Sequence, residues 1–243
     1  MSTSTVRPRA ALLDVDGTLV DSNDQHARAW QRALEEAGHP VDFAVIRRLI
    51  GMGGDKIIPM LTPLAADDEA GERLAARRSE HFMRDELPTV RALPGARTLL
   101  EALLARDLVL VVATSAKAHE YEALVRVAGV EGLVDDRTTA DDAARSKPDP
   151  DIILAALEKA GVAPAEAVML GDTPYDVRAA GAAGVRCVAL RSGGWGDDDL
   201  AGAVAVYDDP ADLAARLDDS PFVAATSAQA ADAAAARAAW TDG

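Results

Sequence analysis

The sequence predicts an α/β fold: an open parallel sheet with helices on its faces, and a separate all-helical unit inserted after the first strand. Three observations carry this. Short, almost continuously apolar runs recur along the 243-residue chain, as strands buried on both faces of a parallel sheet do. Helix-patterned stretches with their own start and stop signals lie between them, the alternation that builds right-handed crossovers. Between residue 22 and about residue 88 no strand pattern is evident.

The first strand is AALLDV (10–15). Asp21 or Ser22 then caps a helix whose Ala27, Trp30, Ala33, Leu34 and Ala37 share one face and which stops at Gly38. Helix-like runs follow at 42–50 and 66–86, separated by a loop at GMGGDK (51–56). Pro94-Gly95 leads into a helix over 96–106, and LVLVVAT (108–114) is the next strand. Asp149-Pro150 starts a helix over 151–160 that Gly161 ends, and AVMLGD (167–172) follows. Pro174 opens a helix ending near Gly184, with strands VRCVAL (185–190) and AVAVYD (203–208) after it. The expected organisation is a discontinuous sheet unit (1–20 and 89–218), a helical unit (21–88) and a tail (219–243). The tail contains ATSAQAADAAAARAAW, helical by propensity but without a strong apolar face, and is expected to be loosely attached.

Composition narrows the function classes. A formal charge of −15 argues against nucleic acid and anionic membranes, which are bound through basic patches. The single cysteine, Cys187, excludes an intramolecular disulfide and fits a reducing compartment. MSTSTVRPRA runs into the first strand with no apolar signal segment. No stretch approaches the roughly 20 apolar residues that span a bilayer. The expectation is a soluble, cytoplasmic protein, monomeric or a small homo-oligomer.

The strand ends are where the chemistry collects, because an open parallel sheet binds ligands beyond its carboxyl edge. Asp14 and Asp16 end the first strand, two positions apart and therefore on one side of it. Two such charges repel and push their pKa values apart. Thr114-Ser115 ends the 108–114 strand; Asp172 ends the 167–172 strand, with Asp176 four residues on. Lys147 precedes Pro148, in an extended conformation. The chemistry that suits this set is metal-assisted phosphoryl transfer. Carboxylates are hard ligands for Mg²⁺, and a carboxylate can attack phosphorus to form an acyl phosphate. Lys147 supplies positive charge, Thr114 and nearby backbone N–H groups bind phosphate oxygens, and Asp16 handles protons.

Four motifs, DVDGTLVDS (14–22), VVATS (111–115), SKPDPDI (146–152) and GDTPYD (171–176), resemble in order and spacing those of the haloacid dehalogenase superfamily. The likeness is to its phosphatase and β-phosphoglucomutase-like members, and it covers residues 9 to about 218. The resemblance implies a Rossmann-like core with an inserted helical cap and Mg²⁺-dependent hydrolysis of a small phosphorylated metabolite. Asp14 would be the nucleophile and Asp16 the general acid/base. Mg²⁺ would sit on the Asp14 carboxylate, the Asp16 carbonyl and Asp172, and Thr114, Ser115 and Lys147 would bind the phosphoryl group. Asp176 would orient Lys147 or reach the metal through water. Val20-Asp21 and Leu87-Pro88 are the expected hinges of the cap. His26, Lys56 and the loop Gly51-Met52-Gly53-Gly54 are the cap residues placed to reach the site.

Single residues separate this reading from its alternatives. Sugar-phosphate mutases of the β-phosphoglucomutase type share the core motifs, and His26 with Trp30 stands where they too carry His and Trp. They carry an arginine in the cap loop, however, where this chain has Gly54, and tend to Glu-Asp where it has Gly171-Asp172. A dehalogenase needs no metal and lacks the second acid that Asp16 supplies. A non-catalytic phosphate-binding protein of this fold would be signalled by loss of Asp14, Lys147 or Asp172, and none is lost. His81, His119 and Cys187 read as structural, and Asp197-Asp198-Asp199 as a solvated charge run.

Overall fold

Ala10–Leu13 is fully buried, and a parallel strand covered on both faces needs no polar alternation. The computed structural model of the protein describes residues 5–134, 136–223 and 226–227. Strands are numbered along the chain: β1 (Thr5–Val6), β2 (Ala10–Leu13), β3 (Val20–Asp21), β4 (Arg91–Ala92), β5 (Val109–Ala113), β6 (Asp136–Thr138), β7 (Ala167–Gly171), β8 (Arg186–Leu190), β9 (Ala205–Tyr207) and β10 (Thr226–Ser227). The central sheet has the order β6-β5-β2-β7-β8-β9, and every neighbouring pair in it is parallel. This is the Rossmann-like α/β arrangement expected. β1 pairs with β10, and β3 with β4, as short antiparallel ribbons.

Period-two alternation sorts the strand side chains into two cores. Leu13, Leu110, Val112, Leu170 and Val188 face one side and pack with Leu99, Leu103, Leu124 and Leu213. Leu12, Val111, Met169 and Cys187 face the other and pack with Ile152, Ile153 and Val177. The first side is covered by α5 (Ala96–Leu104), α6 (Ala118–Ala128) and α9 (Pro210–Ala215), the second by α7 (Asp151–Ala160) and α8 (Pro174–Ala182). Each fully buried leucine or isoleucine contributes about 1.5–3 kcal/mol.

Between β3 and β4 the chain forms α1 (Asn23–Glu36), α2 (Phe43–Arg47), α3 (Gly54–Leu61) and α4 (Glu69–His81). They enclose a third core of Ala27, Trp30, Ala33, Leu34, Ile46, Ile57, Ile58 and Leu74. Ala37, expected on the same face, is exposed at the end of α1. The outgoing and returning chain run side by side, Val20 opposite Ala92 and Asp21 opposite Arg91, beyond the Leu87-Pro88 expected as second hinge.

Several elements differ from the sequence reading, among them α3, β6 and the start of the tail. GMGGDK is loop only to Gly53: α3 starts at Gly54 and contains Pro59. Gly53-Gly54 and Pro59 read as breakers, whereas the buried pair Ile57-Ile58 holds the helix against the third core. β6, with the polar sequence Asp-Arg-Thr, was not anticipated; pairing with β5 at the sheet edge makes it a strand. The tail expected from 219 is not loose at its start, for Ser220 and Phe222 are buried, the latter in the larger core. Residues 224–225 and 228–243 of that tail lie outside the described residues. Among the described residues no helix is long and apolar enough to cross a membrane.

Candidate active site

Strand order reverses between β2 and β7, since β2, the first strand of the sheet in the chain, has β5 on one side and β7 on the other. The crevice beyond that switch point is where such sheets bind ligands. Asp14 and Asp16 leave the end of β2, Asp172 the end of β7, and Asp176 the first turn of α8. Gly17 lets them converge: its φ is +72°, and a Cβ there would stand 2.1 Å from Asp172 Oδ2, so no side chain fits. Gly193 abuts the same carboxylate, 2.1 Å from a notional Cβ.

Lys147 is the buried cation of the cluster. Its Nζ donates to Asp14 Oδ1 at 2.6 Å and lies 2.7 Å from Asp176 Oδ1. The other Asp176 oxygen accepts from the Thr173 amide at 3.0 Å and hydroxyl at 2.6 Å, closing a capping box at the start of α8. Asp172 accepts from Asn23 Nδ2 at 2.7 Å and from the Thr18 hydroxyl at 3.3 Å. Asp14, Asp172 and Asp176 each bring a carboxylate oxygen within 4.8 Å of the others.

The electrostatics follow from this crowding. Burial pushes the Asp14 carboxyl up to about 7, with Asp176 and Asp16 adding repulsion against the pull of Lys147. Burial, then the charges of Asp176 and Asp14, push Asp172 well above the usual carboxylate range. For Lys147 burial works downward, but Asp14 and Asp176 outweigh it and hold the ammonium form. The carboxylate oxygens of Asp14, Asp172 and Asp176, all hard donors and all within 4.8 Å of one another, fit a divalent ion of the Mg²⁺ type.

Asp16 faces a different environment. Burial would raise it, yet the His26 ring and its hydrogen bond, the Ser22 hydroxyl and Arg78 together hold it below its ordinary value. Ser22 Oγ donates to Asp16 Oδ1 at 2.5 Å and His26 Nε2 lies 2.7 Å from the same oxygen. Ser22 is the N-cap residue of α1 but makes no side-chain cap bond; its hydroxyl is turned to the site instead.

Asp14, Asp16, His26, Thr114 and Ser115 line one chamber of about 40 Å³, room for a few waters or a group of phosphoryl size, on the scale of about 10–15 Å³ per water. Thr114 Oγ1 accepts from the Ala116 amide at 3.1 Å, which leaves its proton for the chamber. Ser115 Oγ donates to the Gly51 carbonyl at 3.3 Å, tying the strand end to the helical unit. Through Trp30, Met52 and Arg78 the chamber borders a second one of about 80 Å³, and this in turn, past Gly53, Gly54 and Lys117, an outer cavity of about 430 Å³. All three lie between the helical unit and the sheet unit.

Lys56 lines none of these chambers; its ammonium is paired with Asp149 Oδ2 at 2.5 Å. Thr18, Ser22, Asn23, Arg78 and Glu120 are among the site groups that escaped the sequence reading. Ser22 and Asn23 sit in and beside the first motif, and their polar side chains at a helix start were a readable signal. Arg78 and Glu120 carried none: they lie 42 positions apart and meet only in the fold, Arg78 Nη1 standing 2.7 Å from both Glu120 oxygens.

Comparison with known proteins agrees with this architecture. The family model described as haloacid dehalogenase-like hydrolase matches residues 11–190. A phosphoglycolate phosphatase of Rhodospirillum rubrum is 36% identical over 216 residues, spanning 85% of this chain and 89% of that protein. Hexitol phosphatase A of Escherichia coli is 31% identical over 188 residues, 77% of this chain and 85% of its own length. The crystal structure of a hydrolase from Pseudomonas syringae superposes with a TM-score of 0.81 at 35% identity, covering 87% of this chain and 98% of that one. On the match of that family model over most of its length and on these relatives, this chain belongs to the haloacid dehalogenase-like hydrolases.

Proposed function

We propose that the protein is a Mg²⁺-dependent phosphatase of small phosphate monoesters, working through an aspartyl-phosphate. The observation that carries this is the buried Asp14–Lys147 pair, set beside Asp172 and Asp176 and opening on a chamber of phosphoryl size. Phosphatases of phosphoglycolate and of hexitol phosphates among its relatives support the same reading.

In the first step an Asp14 oxygen attacks phosphorus, the ester P–O bond breaks, and the leaving oxygen takes a proton from Asp16. In the second, water attacks the phosphoryl group of the aspartyl-phosphate, gives its proton to Asp16 and frees the Asp14 carboxylate with inorganic phosphate. Lys147 and the Thr114 hydroxyl hold phosphoryl oxygens. Asp16 rests in the base form; a phosphate dianion arriving beside it raises its proton affinity, which prepares it to act as acid. Asp14, Asp172 and the Asp16 carbonyl would hold Mg²⁺. When bound, the ion neutralises charge on the phosphoryl group and the acids around it. The helical unit acts as a cap that excludes water from the first transfer and selects the leaving group. Its chambers admit substrates on the scale of phosphoglycolate or a sugar phosphate.

The test is phosphate release from phosphoglycolate, sugar phosphates, nucleotides and an aryl phosphate, with and without Mg²⁺. β-Glucose 1-phosphate is assayed in parallel for glucose 6-phosphate. Mg²⁺-dependent release supports the proposal. Isomerised sugar phosphate with little free phosphate replaces it with a mutase, and turnover of none of them with a non-catalytic phosphate-binding protein.

A further inference from the structure

A chain of side chains runs from Asp16 across the seam between the two units to helix α6. His26 Nε2 lies 2.7 Å from Asp16 Oδ1, and its other nitrogen, Nδ1, lies 2.7 Å from Arg78 Nη2. A guanidinium only donates, so Nδ1 accepts and Nε2 carries the hydrogen given to Asp16. The ring is stacked on Phe82, centroids 3.9 Å apart and planes 11° from parallel. Arg78 Nη1 stands 2.7 Å from both oxygens of Glu120, and Glu120 Oε1 also accepts from the Ser79 hydroxyl at 2.6 Å.

Glu120 is the member of this chain that comes from α6, and it is 1% exposed. A buried carboxylate is costly unless paired and hydrogen-bonded. Both residues hydrogen-bonded to Glu120, Arg78 and Ser79, come from α4, in the helical unit, while His119 of α6 itself stands 4.0 Å away. The hydrogen bonds that satisfy Glu120 therefore exist only when that unit is seated on the sheet unit. α6 itself begins just after Thr114-Ser115, so the anchor is fixed to the segment that lines the phosphoryl chamber.

We propose that Glu120 is a positioning residue of the reaction: it holds the Arg78 fork so that His26 presents Nε2–H to Asp16, and so makes the orientation of the general acid/base depend on cap seating. The proposal rests on the reading of Asp16 given above. Without Glu120 the guanidinium is free to turn, Nδ1 loses its donor and the ring can take the other tautomer. A bare Nε2 then faces the Asp16 oxygens, lone pair to lone pair, and turns the carboxyl away from the leaving group.

Leaving-group dependence tests this in the full-length protein with Mg²⁺. An alkyl phosphate needs proton donation to its leaving oxygen, whereas p-nitrophenyl phosphate, with an acidic phenol, needs little. Glu120→Gln is expected to lower kcat/KM for the alkyl ester about tenfold more than for the aryl ester, a fraction of the roughly 10²–10⁴ that acid–base assistance supplies. Asp16→Ala should show the same bias more strongly. Glu120→Gln added to Arg78→Lys should cost less than the product of the two single effects, since the residues act as one unit. Equal losses on both esters, or multiplicative effects, overturn the proposal.

Thermal melts confirm that each variant is folded at the assay temperature. A second measurement does not depend on turnover: ¹⁵N signals of the His26 ring, assigned with His26→Gln. They should show Nε2 protonated in the wild type and the tautomers mixed in Glu120→Gln; an unchanged tautomer overturns the proposal. If Asp16→Ala shows no leaving-group bias, the acid/base reading falls and the proposal with it, while the nitrogen signals still report whether Glu120 sets the ring.

Discussion

Lys147 Nζ stands 2.6 Å from Asp14 Oδ1 and 2.7 Å from Asp176 Oδ1, with all three side chains buried. One cation thus holds apart two acids that would otherwise face each other out of water. Lys147→Met is expected to lower kcat by about 10²–10³, the effect of losing one positioned charge-stabilising group. Breaking a buried ion pair from one side costs about 3–5 kcal/mol, so urea unfolding should show that loss. Added Mg²⁺ should restore more stability to the variant than to the wild type.

Asp14→Asn should abolish turnover and leave no acid-stable or trapped phosphoenzyme, because the amide cannot attack phosphorus. Its stability should move the other way. With Asp14 held up to about 7 in the fold against about 3.9 unfolded, the native state keeps a proton that the unfolded chain has shed across that window. Stability from this group is therefore full below the unfolded value and falls as pH rises through about 7. Metal-free Asp14→Asn should melt several degrees higher than the wild type at pH 8, and equally at pH 4. A variant melting below the wild type at pH 8 would contradict this.

Asp16→Ala should slow phosphoenzyme formation and its hydrolysis by about 10²–10⁴ each, followed by rapid quench with an alkyl phosphate. A rise in KM with kcat intact would recast Asp16 as a binding residue.

Lys117 is exposed, lines the two outer chambers and has no ion-pair partner among the described residues. Lys117→Ala is expected to raise KM for phosphoglycolate about three- to tenfold, the scale of the roughly 1 kcal/mol between two solvated unit charges about 4 Å apart in water. KM for a phosphate ester with a neutral sugar leaving group should hardly change. Equal shifts for both would remove Lys117 from specificity.

Phe222 lies past the point where the alanine-rich tail was expected to loosen, yet it is 1% exposed in the larger core. Phe222→Ala should destabilise the protein by about 3–5 kcal/mol, measured by urea unfolding. A loss below about 1 kcal/mol would mean that the tail does loosen there.

The sequence by itself determined the sheet, the helical insertion and the acids at the strand tips. Those signals are local: an apolar run reads as a strand wherever it lies, and Asp14, Asp16 and Asp172 sit at the ends of such runs. Ribbon β3–β4, edge strand β6 and helix α3 were not legible, because pairing and burial there override polar composition or glycine and proline. Only the tertiary structure decided what the cap residues do. Lys56 turned to Asp149, His26 to Asp16, and Arg78 to Glu120 from the other unit. A charged side chain removed from water takes whichever partner folding brings within reach, and across 42 positions of chain that partner is set by packing, which no spacing in the sequence encodes.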